Sequence, residues 1–375
     1  MELVNILLAT GRTPRCRLAP AGCAALLLCS LIGTLTAAPP AIPSAVGLNT
    51  RTRAEVEKLI ADTGNTPPDW WDTTPLKYPP TLDLTWKQHP GGWQPRKNMG
   101  AYFWDIIDPN PGKWPEGVKL AQHTLSVNRG NADAQTKAMR CIAKMYAELM
   151  SDYPRGAFWA RKAGGMEVTL ADCYIKMGNN DMAVEVLRRI GKDNTRAGQV
   201  IKLWAEMGDL RTALGLAEGK ATAGDPVIAF LAAGDACRRQ NHTARAIQYY
   251  QKAIAAKGRA RDDDANKKRA TANLEATRLF DSLDLTKIND GAYKANSIAY
   301  VGPLEVQVTV KNHRIEKVEV TAHKEKQFYA SLTEVPPRII AKQSVKGIDT
   351  TTGATVTSEA IVNATAKALA SAQGQ

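Results

Sequence analysis

The chain reads as a multidomain protein, an all-α solenoid followed by a small α+β domain. Three observations predict this. A short pattern of small and bulky residues recurs through the middle of the chain at intervals of 30 and 33 residues. After Asp290-Gly291 the hydrophobic period switches from that of a helix to two. Between Asn65 and Glu116 six tryptophans stand among ten prolines, a composition that breaks long helices.

The 375 residues and 44% hydrophobic content leave room for more than one core. A net charge of +12 favours anionic partners or surfaces. Basic and acidic residues are interleaved, as in Arg259-Ala260-Arg261-Asp262-Asp263-Asp264, and no basic stripe carries stacking aromatics. Nucleic acid is therefore not an expected partner.

Residues 1–38 have the make-up of a signal peptide. Arg12, Arg15 and Arg17 precede an apolar run from Ala21 to Leu35, and Thr36-Ala37-Ala38 supplies small residues for cleavage. The protein is expected to be exported, to the periplasm or cell surface, with the leader either cut or kept as a membrane anchor. Pro20-Ala21-Gly22-Cys23 lacks the leucine of a lipobox. Beyond the leader, Cys141, Cys173 and Cys237 lie within helical patterns and read as buried core residues, with one disulfide among them left open. The scattered histidines offer no metal-ligand spacing.

Residues 39–116 form a Pro/Trp-rich irregular segment. Its start, 39–50, reads as a flexible lead-in, and Thr52 to Ala61 as a short helix with Val56, Leu59 and Ile60 on one face. Trp70, Trp71, Trp86, Trp93, Trp104 and Trp114 read as packing anchors.

Residues 117–257 carry the repeats. One copy runs Ala171, Tyr174, Gly178, Ala183, Leu187, Ile190. The next runs Ile201, Trp204, Gly208, Ala213, Ala217, and a third runs Gly234, Cys237, Asn241, Ala246, Tyr250, Ala253. A weaker first copy runs Ala143, Tyr146, Gly156, Ala160, Ala163. These residues resemble the tetratricopeptide repeat, whose period is roughly 34 residues. The resemblance implies stacked helix pairs with a concave surface, either docking a protein partner or acting as a spacer. Residues 258–289 read as a charged helix or linker: Gly258 to Asn273 is very polar and reads as a solvated capping helix or linker, continued by Leu274, Ala276, Leu279 and Phe280.

Residues 290–375 form the small domain. Ala292 to Ala299 reads as a strand. Leu304, Val306, Val308 and Val310 alternate with polar residues in a second, and Ile315 to Ala322 returns with a phase slip that suggests a bulge. Asn312-His313 is the expected tight turn. Pro336 to Gln343 reads as a short helix with proline in its first turn. A hydroxyl-rich loop, Asp349-Thr350-Thr351-Thr352-Gly353-Ala354-Thr355-Val356-Thr357-Ser358, precedes a final helix with Ile361, Ala364, Thr365, Ala368, Leu369 and Ala372 on one face.

This order of strands, followed by Asp349-x-x-Thr352-Gly353-Ala354-Thr355-x-Thr357-Ser358 and an Ala-rich helix, resembles the FMN-binding domain of the C subunit of the sodium-pumping NADH:quinone oxidoreductase and the G subunit of the Rnf complex. The resemblance implies FMN as cofactor, held through its phosphate on the hydroxyl of Thr355. It also implies a separate flavin transferase that makes the bond from FAD and recognises Asp349. Gly353 and Ala354 clear space beside Thr355. A helix starting near Thr357 or Ser358 would turn its amides toward the phosphate. Thr352, Thr357 and Ser358 are candidates to hydrogen-bond that phosphate; equally, a hydroxyl-rich loop before a helix is the make-up of a plain N-cap.

The functional expectation is an exported flavoprotein electron carrier whose repeats dock a membrane or exported redox partner. The alternative is an interaction scaffold with a C-terminal domain free of flavin, and a third reading is a flavin-dependent reductase. No catalytic acid, base or nucleophile of its own stands out.

Overall fold

A computed structural model describes residues 46–87, 91–190, 196–258, 260–325, 330–348, 350 and 354–374. The leader lies outside them, as do Asp349, Thr352 and Gly353.

The first helix, α1 (Arg53–Thr63), starts where Thr52 and Glu55 form a capping box, and it buries Val56 and Ile60. The chain just before it is no free lead-in. Gly47 N–H donates to Met207 C=O at 2.7 Å, and Thr50 N–H to Gly178 C=O at 2.9 Å. Two carbonyls at repeat turns need donors, and residues 46–51 supply them.

The Pro/Trp-rich segment is less irregular than its prolines suggest. Asn98 caps a short helix, α2 (Met99–Tyr102), that continues as a π-turn through Ile107. These residues join a core with Leu82, Tyr146 and Trp159. Trp70, Trp71, Trp86 and Trp114 pack against it, and Trp86 stacks on Phe103 at 5.7 Å. Trp93 and Trp104 depart from the anchor reading: both are exposed, Trp93 with its indole N–H on Asp105 at 2.6 Å.

The helices α3 (Trp114–Val127), α4 (Ala132–Lys144) and α5 (Tyr153–Ala163) lead into three antiparallel pairs. These are α6 (Glu167–Lys176) with α7 (Asn180–Leu187), α8 (Ala197–Glu206) with α9 (Leu210–Thr222), and α10 (Pro226–Arg239) with α11 (Thr243–Ala255). The repeated small residues sit at the contacts: Ala171, Ala183, Ala213 and Ala246 are fully buried. The Gly/Asn positions take the left-handed conformation that a tight helix–helix turn demands, with φ of 86° at Gly178, 96° at Gly208 and 59° at Asn241. Cys141, Cys173 and Cys237 are free thiols, the last two buried and Cys141 half-buried.

Gly234 shows how close the pairs approach. A Cβ there would meet the ring of the fully buried Tyr250 at 2.5 Å. Gly234→Ala is expected to destabilise the protein by about 1–3 kcal/mol through overpacking, read by urea unfolding. A wild-type midpoint would mean that the ring can yield.

The polar stretch after the repeats is α12 (Asp263–Leu279). It is not a solvated linker, since Ala270, Asn273, Ala276 and Thr277 are buried. The domain beyond is an antiparallel meander of β1 (Gly291–Ile298), β2 (Pro303–Lys311) and β3 (Arg314–Ala322). Asn312 and His313 turn with φ of 50° and 58°, and the β2–β3 register shifts at Glu305/Val306 and Thr309/Val310. The next helix, α13 (Ala330–Lys342), begins six residues before Pro336 and carries both prolines inside. The proline-first expectation failed because residues upstream of the pair extend the helix.

The last helix, α14 (Thr355–Gln373), lies against β1, β2 and α13 on one side and α12 on the other. The predicted apolar face is buried on the sheet side, and Glu359, Val362, Asn363 and Ala366 are buried as well. An amphipathic reading anticipates one covered face; packing against α12 covers the second. Residues 39–375 form a single compact unit, so the repeats and the C-terminal domain are not separate bodies.

Candidate functional site

The site begins at the start of α14. Ala354 occupies the N-cap position with no side-chain cap, and the first helical bond runs from Ser358 N–H to Ala354 C=O at 2.9 Å. The amides of Thr355, Val356 and Thr357 precede it and so have no acceptor within the helix, the position at which a helix start can meet an anion. The helix starts at Thr355 itself, two or three residues earlier than expected, which puts the predicted attachment residue within the first turn.

Two of the three hydroxyls expected to bind the phosphate, Thr357 and Ser358, are bonded within the protein, and the third, Thr352, lies outside the described residues. Thr357 is buried and its hydroxyl pairs with Glu325. Ser358 is fully buried and donates to Ala354 C=O at 2.9 Å. Neither acts as an N-cap. Glu325, also buried, accepts from Val301 N–H at 2.7 Å and so ties the β1–β2 turn to the helix start. Thr355 is half-buried and borders a cavity of about 320 Å³ together with Ala354. That volume is at the lower end of small-molecule sites, roughly 300–1,000 Å³.

The opposite wall of the cavity belongs to the repeats. The first helix of each pair contributes: Asp172 from α6, Lys202 from α8, and Asp235 and Arg239 from α10. Arg239 also donates to the hydroxyl of Thr350 at 3.1 Å, which brings a guanidinium to the hydroxyl-rich loop.

A buried polar network fixes the two walls. Arg269 of α12 makes two 2.7 Å bonds to Glu359 of α14 and a 2.6 Å bond to Asp235. Asn273 donates to Asp235 at 3.0 Å and to Glu359 at 2.9 Å, and its carbonyl accepts from Asn363 at 2.7 Å. Tyr250 donates to Asp235 at 2.9 Å. Burial and the neighbouring Glu359 push the Asp235 carboxyl up to about 6, against the pull of Arg269. Glu359 moves the other way: burial opposes its charge, but Arg269, Arg238 and Asn273 together hold it below the usual range.

Asp172 lacks such support. It is 5% exposed, and its Oδ1 has no hydrogen-bond partner among the described residues. Burial first and Glu206 second raise its carboxyl to about 6; Lys202 and Lys176 pull down, and Glu148 pushes up. The folded chain therefore holds a proton between about pH 4 and 6 that the unfolded chain has released, and stability falls as pH rises through that window. Asp172→Asn removes the penalty. The variant should be more stable than wild type at pH 7.5 by on the order of 1–3 kcal/mol and equal to it near pH 4, in parallel urea titrations. Equal stability at both pH values would show that the carboxyl finds a partner.

Sequence reasoning missed Asp172, Lys202 and Asp235, yet a signal was there. Each directly follows the first anchor of its repeat, Ala171, Ile201 and Gly234. Thr169, Gln199 and Ala232 stand two before the same anchors and line the same cavity. The repeat register thus marks the inner face. Glu325 and Arg269 had no such mark, because each meets its partner only through tertiary contact.

Comparison with known proteins agrees with this division. Residues 300–370 match the family model of the FMN-binding domain, and residues 168–190 and 229–265 match tetratricopeptide-repeat models. The C-terminal domain is an FMN-binding domain, with FMN as its cofactor, preceded by tetratricopeptide repeats. An uncharacterized protein of Treponema pallidum (strain Nichols) is 38% identical over 85 residues, covering 22% of this chain and 23% of the relative. The chain thus spans about a quarter of that protein's length. No solved structure matches the chain.

Proposed function

We propose that the protein is an exported electron carrier whose FMN is esterified through its phosphate to Thr355 by a separate flavin transferase. The observation that carries this reading is the coincidence of an FMN-binding domain with a half-buried Thr355 at an uncapped helix start, facing a cavity. When bound, FMN accepts and passes on one or two electrons.

The chain's own residues have separable tasks. Thr355 supplies the oxygen that is esterified. The first amides of α14 face the phosphate, and Arg239, on the same cavity and bonded to Thr350, adds a positive charge. Thr357 and Glu325 hold the helix start rather than the phosphate. Asp349 serves the transferase. Export rests on the composition of residues 1–38, and the redox partner is a membrane or exported protein.

Production of the full chain with a flavin transferase tests this. The protein should gain the mass of one FMN less one water, on the peptide that contains Thr355. An unmodified protein would overturn the covalent carrier reading.

A further inference from the structure

We infer that the inner face of the repeats is the far wall of the flavin site, with Asp172 and Lys202 as the polar groups that meet the flavin ring. This rests on the flavin reading above and deepens it. A concave repeat surface ordinarily receives a partner's peptide. Here that surface is turned on the chain's own C-terminal domain, and the cavity between them contains Thr355.

The chemistry of the wall matches the ring. An isoalloxazine has an apolar benzenoid end and a polar end where an N–H lies between two carbonyls. The cavity offers apolar surface from Leu203, Ile228 and Ala232. Beside it stand a carboxyl, which accepts an N–H, and an ammonium, which donates to a carbonyl. Asp172 is nearly sealed from solvent with Oδ1 unpartnered among the described residues, an arrangement that costs stability and that an incoming donor would relieve. Lys202 stands at the equivalent position one repeat later, close enough for its charge to act on Asp172. The Arg269 network holds this wall at a fixed place relative to α14.

The test uses full-length protein loaded by a flavin transferase, with Lys202→Met, Asp172→Asn and, as a control, Arg188→Gln at an exposed position outside the cavity. Loss of the ammonium should disfavour the anionic reduced ring. Lys202→Met is expected to shift the oxidised-to-reduced ratio about tenfold toward oxidised, a midpoint lower by about 30 mV for a two-electron couple. Asp172→Asn should move it the opposite way, and the control should not move it. In unmutated protein, iodide should quench flavin fluorescence less than it quenches free FMN. Intact mass separates the two ways of failing. A loaded protein with both variants at the control's potential, or with flavin quenched like free FMN, overturns the wall. A wild type that takes up no FMN overturns the reading beneath it.

Discussion

Thr355→Ala is expected to abolish covalent flavin completely while leaving the fold intact. The other described hydroxyls of the loop are poor nucleophiles for a modifying enzyme. Thr350 is buried and accepts from Arg239. Thr357 is 1% exposed and bound to Glu325, and Ser358 is sealed and bound to Ala354 C=O. Thr355 alone among the described hydroxyls of this loop combines partial exposure with a place on the cavity. Alanine is a better helix former than threonine, so α14 should not suffer. Thr355→Ser keeps the oxygen and should still be modified. Intact mass and in-gel flavin fluorescence read both variants; a full mass gain in Thr355→Ala would move the attachment elsewhere.

Arg269→Met should cost on the order of 3–5 kcal/mol, because it strands Asp235 and Glu359 as buried acids with no cation between them. Methionine keeps much of the volume, so lost packing is a minor part. The loss should be smaller at low pH, where the stranded acids take up protons. Adding Asp235→Asn and Glu359→Gln should restore part of the stability, since an apolar and amide cluster carries no unpaired charge. Urea unfolding of the single and triple variants measures this. A loss below about 1 kcal/mol for the single variant would mean that water reaches the acids.

Much of the architecture could be read from local patterns. The alternation in β2 and the Asn312-His313 turn are short-range features, and they appear where the alternation placed them. The repeat anchors are local too: Gly178, Gly208 and Asn241 mark turns because those turns require left-handed backbone. The errors share a different cause. Residues 46–50 looked free because the carbonyls they satisfy, at Gly178 and Met207, lie far along the chain. The stretch after residue 258 read as solvated throughout because the acids that pair with Arg269, Asp235 and Glu359, are remote in sequence.

The flavin loop divides along the same line. Composition and order alone specified a helical array, a three-stranded domain and a hydroxyl-rich turn before a closing helix, because periodicity, turn residues and caps act over a few residues. Tertiary structure decided which of the described hydroxyls stays accessible and what it faces. Thr357 and Ser358 lose their candidacy to Glu325 and to a backbone carbonyl, and Thr355 keeps it beside a cavity. The other wall of that cavity comes from helices more than a hundred residues earlier, held there by Arg269. A buried charge network forms only when its members are brought together, and no periodicity announces it.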